Sequence, residues 1–264
     1  MTNKIFSSYR EALAATSNGE GYSSDLLARV VSAKTKRFAE RLKAERRLDI
    51  STMRTAIFLA SLNQTKKAVF NVLDFGGACG YHYLICKALL PAQQFDWRVI
   101  ETPRMAMEAK SVHGRNELSF FENLEEAGFK GWVPDAIIAS SSIQYCPQPL
   151  EIFDNLLSLQ AKILFITRTP LSMHDQIIVS LQTSQLSANG PGALPVGFTD
   201  MTVQYPISYV PKAKLLELAS SRDYDLLLSI DEEPATIMLN GVALNRQESL
   251  LLTTFRNRIE FSIP

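Results

Sequence analysis

The stretch Val72-Leu73-Asp74-Phe75-Gly76-Gly77-Ala78-Cys79-Gly80 decides how the rest of the chain is read. A short apolar run ends in an acid, and a glycine-rich turn follows. The next ten residues, 81–90, have the character of a helix. A strand, a glycine turn and a helix in that order bring backbone N–H groups to face a nucleotide-like ligand.

Outward from this turn, strand-like and helix-like segments alternate. Strands are expected at 69–75, 95–101, 117–121, 134–142 and 161–168, with helices at 81–90, 103–110 and 149–160. The strands are nearly continuous in apolar residues, which predicts a parallel sheet covered on both faces. Residues 172–210 break the rhythm with Asn189, Gly190, Pro191, Gly192, Pro195, Gly197 and Pro206. They read as an irregular insertion over the site, placed like a functional lid. A helix from Pro211, a strand at 224–230, a tight turn at Asn240-Gly241 and a last strand at 249–256 complete the pattern. With no helix between the final two strands, an antiparallel edge is expected.

Before the glycine turn, two helices are expected within 24–63, so residues 1–65 form an N-terminal helical segment, a lid or an interface, ahead of a main domain at 66–264. The first helix is basic on its polar face, with Arg29, Lys34, Lys36, Arg37, Arg41, Lys43, Arg46 and Arg47 against Glu40 and Glu45. Such a face either contacts phosphate, nucleic acid or an anionic surface, or is a solvated helix face. The chain has 264 residues, formal net charge +0, 46% hydrophobic and 20% charged residues. Neutral balance gives no overall footprint for nucleic acid. No run of about 18 apolar residues suits a membrane span. Cys79, Cys86 and Cys146 fit neither a zinc pattern nor an even disulfide set, so a reducing, cytoplasmic setting and no metal are expected. Cys79 is either a catalytic thiol or a small residue fitted beside backbone.

The dinucleotide fingerprint requires G-x-G-x-x-G, and Gly76, Gly77 and Gly80 stand in another register. The run from Asp74 to Gly80 instead resembles the acid-x-Gly-x-Gly-x-Gly loop of class I S-adenosylmethionine-dependent methyltransferases, with Ala78 in place of the middle glycine. With the strand ending in Glu101-Thr102, the segment 140–148 and Arg168-Thr169-Pro170, it is similar to a bacterial family of these enzymes whose first motif reads close to Asp-Phe-Gly-Gly. The resemblance spans roughly 20–256. It implies a Rossmann-like α/β fold with a seven-stranded, mostly parallel sheet, an antiparallel last strand and N-terminal helices. It also implies S-adenosylmethionine as cofactor and a small-molecule or sugar-linked acceptor.

Candidate cofactor residues follow. Loop amides at Gly76, Gly77, Ala78 and Gly80 suit the cofactor's carboxylate, and Asp74 orders the loop or meets the ammonium through water. Glu101, 21 residues after Gly80, is placed to accept from both ribose hydroxyls, with Thr102 beside it. Glu122 and Asn123 lie where the adenine is held, Ser140 and Ser141 rim the crevice, and Tyr22 lids it. Gln144 and Tyr145 are candidate acceptor contacts. An alcohol acceptor needs a base, and His174 is the leading candidate; His82 is expected near the cofactor and His113 in a surface turn. Arg168 either binds an acidic acceptor or forms a structural ion pair. A catalytically silent binding module and an NAD-dependent oxidoreductase are the alternatives, and a homodimer is compatible with the chain.

Overall fold

The computed structural model describes residues 4–16, 21–62, 67–128, 131–232, 237–239, 242–244 and 247–254. In chain order these form β1 (Ile5–Phe6), α1 (Tyr9–Ala14), α2 (Asp25–Glu45), α3 (Met53–Leu62), β2 (Val69–Phe75), α4 (Tyr81–Leu89), β3 (Gln94–Ile100), α5 (Pro103–His113) and β4 (Leu118–Phe121). There follow β5 (Ala136–Ser140), α6 (Pro149–Ser158), β6 (Ile163–Ser172), β7 (Ile178–Gln185), β8 (Thr202–Pro211), α7 (Lys212–Ser221), β9 (Tyr224–Asp231), β10 (Ile237–Leu239), β11 (Val242–Leu244) and β12 (Gln247–Thr254).

Seven strands make the expected core sheet in the order β4-β3-β2-β5-β6-β12-β9. The first five are parallel, and β12 runs antiparallel to both β6 and β9. The antiparallel strand is therefore interior, and β9 forms the edge. The expected Asn240-Gly241 turn and the end of the last strand lie outside the described residues.

Alternation along β2 explains the layering. Phe70 and Val72 face one core cluster with Phe58, Tyr83, Trp97 and Met105; Leu73 faces the other with Phe153, Leu156 and Leu215. Helices α2 to α5 thus cover one face and α6 and α7 the other. Asp74 shares the first face and is completely buried.

Residues 172–210 are not irregular. They contribute β7 and β8, an antiparallel pair in register from Ile178↔Tyr209 to Gln185↔Thr202. β1 pairs with β7, and β8 pairs in parallel with the tail of β6 through Leu171↔Val210 and Ser172↔Pro211. Ten described strands therefore join in one sheet. Pro211 ends β8 rather than opening a helical turn, and α7 begins at Lys212.

This topology makes a crevice. Strand order reverses between β2 and β5, so their connections leave in opposite directions and open a gap at the C-terminal ends. β5 stops at Ser140, β6 runs on to Ser172, and β8 joins β6 beyond that point. The extra strands wall one side of the gap.

Candidate active site

Each glycine of the turn is required by a close neighbour. Gly76 has φ +71°, and a Cβ there would sit 2.3 Å from Ser142 Cβ. A Cβ on Gly77 would sit 2.3 Å from the Asp74 carboxylate, and one on Gly80 (φ +81°) would meet the Leu118 side chain at 2.7 Å. Ala78 takes φ +50°, the left-handed region that an alanine enters at a cost. The strain is held locally, at this one residue of the turn.

Glu101 locks that path. Its carboxylate accepts from the Ala78 amide at 2.9 Å and the Thr102 amide at 2.8 Å. Burial pushes its pKa up to about 7, against those two donors, which pull the other way. Asp74 has a different role from a cofactor contact. It accepts from Trp97 Nε1 at 3.2 Å and lies 3.0 Å from His82 Nδ1. With Nδ1 held by the carboxylate, Nε2 is the His82 ring atom left for the cavity.

A cavity of about 810 Å³ opens above these groups, within the span of about 300–1,000 Å³ common for small-molecule sites. Gly76, Gly77, Ala78, Glu101, Thr102, Glu122, Asn123, Ser140, Ser141, Tyr22, Tyr145 and Arg168 all line it. Four expected residues do not. Asp74 and Gln144 are fully buried behind the wall, Gly80 lies under Leu118, and His174 is exposed on the segment between β6 and β7. The start of α4 reaches the cavity through Tyr81 and His82 rather than through Gly80, and His174 does not line it. Arg168 does not close its strand either, since β6 continues four residues further.

His113 is buried rather than in a surface turn, with Nε2 3.1 Å from Ser32 Oγ. Lys34 is not part of a solvated basic face; its buried ammonium donates to the carbonyls of Ser187 and Asn189, each at 2.6 Å. Cys79 is buried against Met105, and burial drives its thiol far above the usual range, so it is a packing residue. Asn123 Oδ1 accepts from the Glu126 amide at 2.8 Å, capping the turn after β4.

At the β5–β6 end, sequence reading missed most of the wall. Tyr22, Tyr145 and Tyr205 form a triangle with ring centroids 4.3 to 5.3 Å apart. Tyr145 donates to Gln182 Oε1 at 2.9 Å and its carbonyl accepts from Tyr9 at 2.6 Å. Tyr205 and Gln182 come from β8 and β7, whose polar alternation was hidden among the prolines and glycines. Thr102 Oγ1 and Ser142 Oγ are buried here without a hydrogen-bond partner among the described residues.

No family model and no curated protein matches this sequence. Solved structures similar to it include the CcbJ methyltransferase from Streptomyces caelestis, 14% identical over 77% of this chain and 89% of that chain, with TM-score 0.48. Another is an S-adenosylmethionine-dependent methyltransferase from Clostridium acetobutylicum ATCC 824, 11% identical over 83% of this chain and 98% of that one, TM-score 0.48. A third is the sugar N-methyltransferase KedS8 from Streptoalloteichus sp ATCC 53650, 14% identical over 83% and 92%, TM-score 0.48. Strand order and crevice define the class independently: a doubly wound α/β protein with a small-molecule site at its switch point.

Proposed function

We propose that this chain is a class I S-adenosylmethionine-dependent methyltransferase that modifies a small molecule. The observation that carries the reading is Glu101. A half-buried glutamate directly follows the second core strand, holds the glycine turn by the Ala78 amide, and lines the cavity. An acid at that strand end suits a ribose diol. The turn beside it has no dinucleotide register.

In this reading Glu101 and Thr102 hold the ribose, and Glu122 and Asn123 flank the adenine. The Gly77 amide, flanked by the Gly76 and Ala78 amides that are held by Ile100 and Glu101, and His82 Nε2 take the amino-acid end. When bound, the cofactor supplies a methyl group on a sulfonium. The protein's own contribution is alignment and exclusion of water. Tyr22, Tyr145 and Tyr205 wall the acceptor side with apolar ring faces. Burial raises the pKa of Tyr22 and of Tyr145, so both stay protonated and donate hydrogen bonds rather than take protons. His82, fixed by Asp74, is the imidazole that can hold or move a proton in the cavity.

Calorimetric titration with S-adenosylhomocysteine and with NAD tests the reading. Micromolar binding of the first and none of the second is expected. The reverse pattern would overturn the methyltransferase and support the oxidoreductase.

A further inference from the structure

β6 carries a bulge at Thr167-Arg168. On its β12 side Ile166 pairs with Leu250 and Thr169 with Glu248, so two residues stand opposite Ser249 alone. Arg168 takes φ +56° within this bulge. Extra residues of this kind re-aim a side chain, and they concentrate beside functional sites. Here the re-aimed side chain is an exposed guanidinium on the cavity wall.

The bulge is clamped from several directions. Gln144 is completely buried and donates from Nε2 to the Arg168 carbonyl at 3.1 Å. The Ser141 amide donates to the Thr167 carbonyl at 2.9 Å. Thr167 Oγ1 donates to Glu232 at 2.9 Å and accepts from Ser249 Oγ at 2.7 Å. Arg54 pairs with Glu232 and so occupies the nearby carboxylate. Among the described residues, no acid forms an ion pair with Arg168, and it is the sole lysine or arginine on the cavity wall.

Part of the remaining wall is aromatic, because the Tyr22, Tyr145 and Tyr205 rings cluster at this end, with Gln182 and Ser184 beside them. We infer that Arg168 is the specificity residue of an acceptor subsite for a planar molecule carrying a carboxylate. A single guanidinium matches a singly charged carboxylate by a two-pronged pair. A phosphate dianion would call for further cations, which this wall lacks. Flat apolar faces suit a planar ring. The inference rests on the methyltransferase reading for the rest of the cavity and gives that reading an acceptor class.

The test uses the full chain saturated with S-adenosylhomocysteine and titrated with matched probes: 4-hydroxybenzoate, cinnamate and indole-3-carboxylate, their three amides, and phenyl phosphate. At least one carboxylate is expected to bind roughly tenfold or more tightly than its amide, as a charged hydrogen-bonded pair requires. Arg168→Gln is expected to erase that preference, Arg168→Lys to keep part of it, and both to leave affinity for S-adenosylhomocysteine unchanged. Equal binding of acid and amide, preference for phenyl phosphate, or no carboxylate binding at millimolar concentration would each overturn the inference. A loss of S-adenosylhomocysteine affinity in Arg168→Gln would also overturn it, by assigning Arg168 to the cofactor. Failure of wild-type chain to bind S-adenosylhomocysteine is a separate result and counts against the methyltransferase reading.

Discussion

Glu101 joins ligand binding to pH. Its folded pKa is raised from 4.5 to about 7 by burial. Between those values the folded chain binds more protons than the unfolded one, so this group makes stability fall as pH rises through that window. A ribose diol donates hydrogen bonds and favours the charged carboxylate. S-adenosylhomocysteine is therefore expected to bind more tightly as pH rises from 6 to 8 (roughly the span around this titration) and to release protons near pH 6. Calorimetry in buffers of different ionisation enthalpy measures that release, and Glu101→Gln should abolish the Glu101 component while weakening binding. Ala78 gives a second expectation. At φ +50° its side chain is strained, so Ala78→Gly should stabilise the apo protein, by up to about 1 kcal/mol after glycine's greater unfolded-state entropy is counted. Chemical denaturation measures it; a loss of stability would show that the alanine methyl packs usefully. Both residues were legible in the sequence, because Glu101 ends an apolar strand and Ala78 interrupts a glycine series. Asp74 was legible as an important acid but not by role, since its partners His82 and Trp97 meet it only through the fold.

At the scale of elements, the core strands announced themselves and the insertion did not. β5 is apolar at four successive positions, all buried, and such a run reads as an interior parallel strand. β7 has Ser180, Gln182, Ser184 and Gln185 along its length, and β8 is interrupted by Pro206. These strands take their order from pairing with each other and with the tail of β6, contacts that local pattern cannot display. That is why His174 looked central while Gln182 and Tyr205 went unnoticed. Lys34 ties this insertion to α2 by donating to the carbonyls of Ser187 and Asn189. Lys34→Met keeps the stem length but leaves both carbonyls without this donor. The loss of charged hydrogen bonds, offset in part by relief of the buried charge, is expected to cost about 1–3 kcal/mol. Hydrogen exchange should rise at residues 186–200 in this variant and stay near wild type in β2 and β3; uniform protection throughout would contradict the tether.

Across the whole molecule, the N-terminal segment and the insertion act on the cavity together. β1 pairs with β7, α1 reaches Tyr145 through Tyr9, and Tyr22 stacks on one tyrosine of the core and one of the insertion. Three stretches that are distant in sequence therefore meet at one aromatic contact over the β5–β6 end of the crevice. The boundary expected near residue 65 separates them on paper, whereas the sheet sews the first strand to the insertion. Tyr22→Ala removes the shared ring. Two aromatic contacts and part of a buried surface are lost, a change expected to cost about 2–3 kcal/mol. For a domain of this size that lowers the unfolding midpoint by roughly 4–10 °C. The cofactor side, built on Glu101 and the glycine turn, makes no side-chain hydrogen bond or ring contact to this cluster among the described residues, so affinity for S-adenosylhomocysteine should hold within about twofold, the scatter expected between weakly coupled sites. Carboxylate probes that dock at the tyrosines should bind far more weakly. Thermal unfolding and the two titrations together decide the matter: parallel losses of both ligands would mean that Tyr22 serves the cofactor, whereas loss confined to the probes places the N-terminal segment over the acceptor.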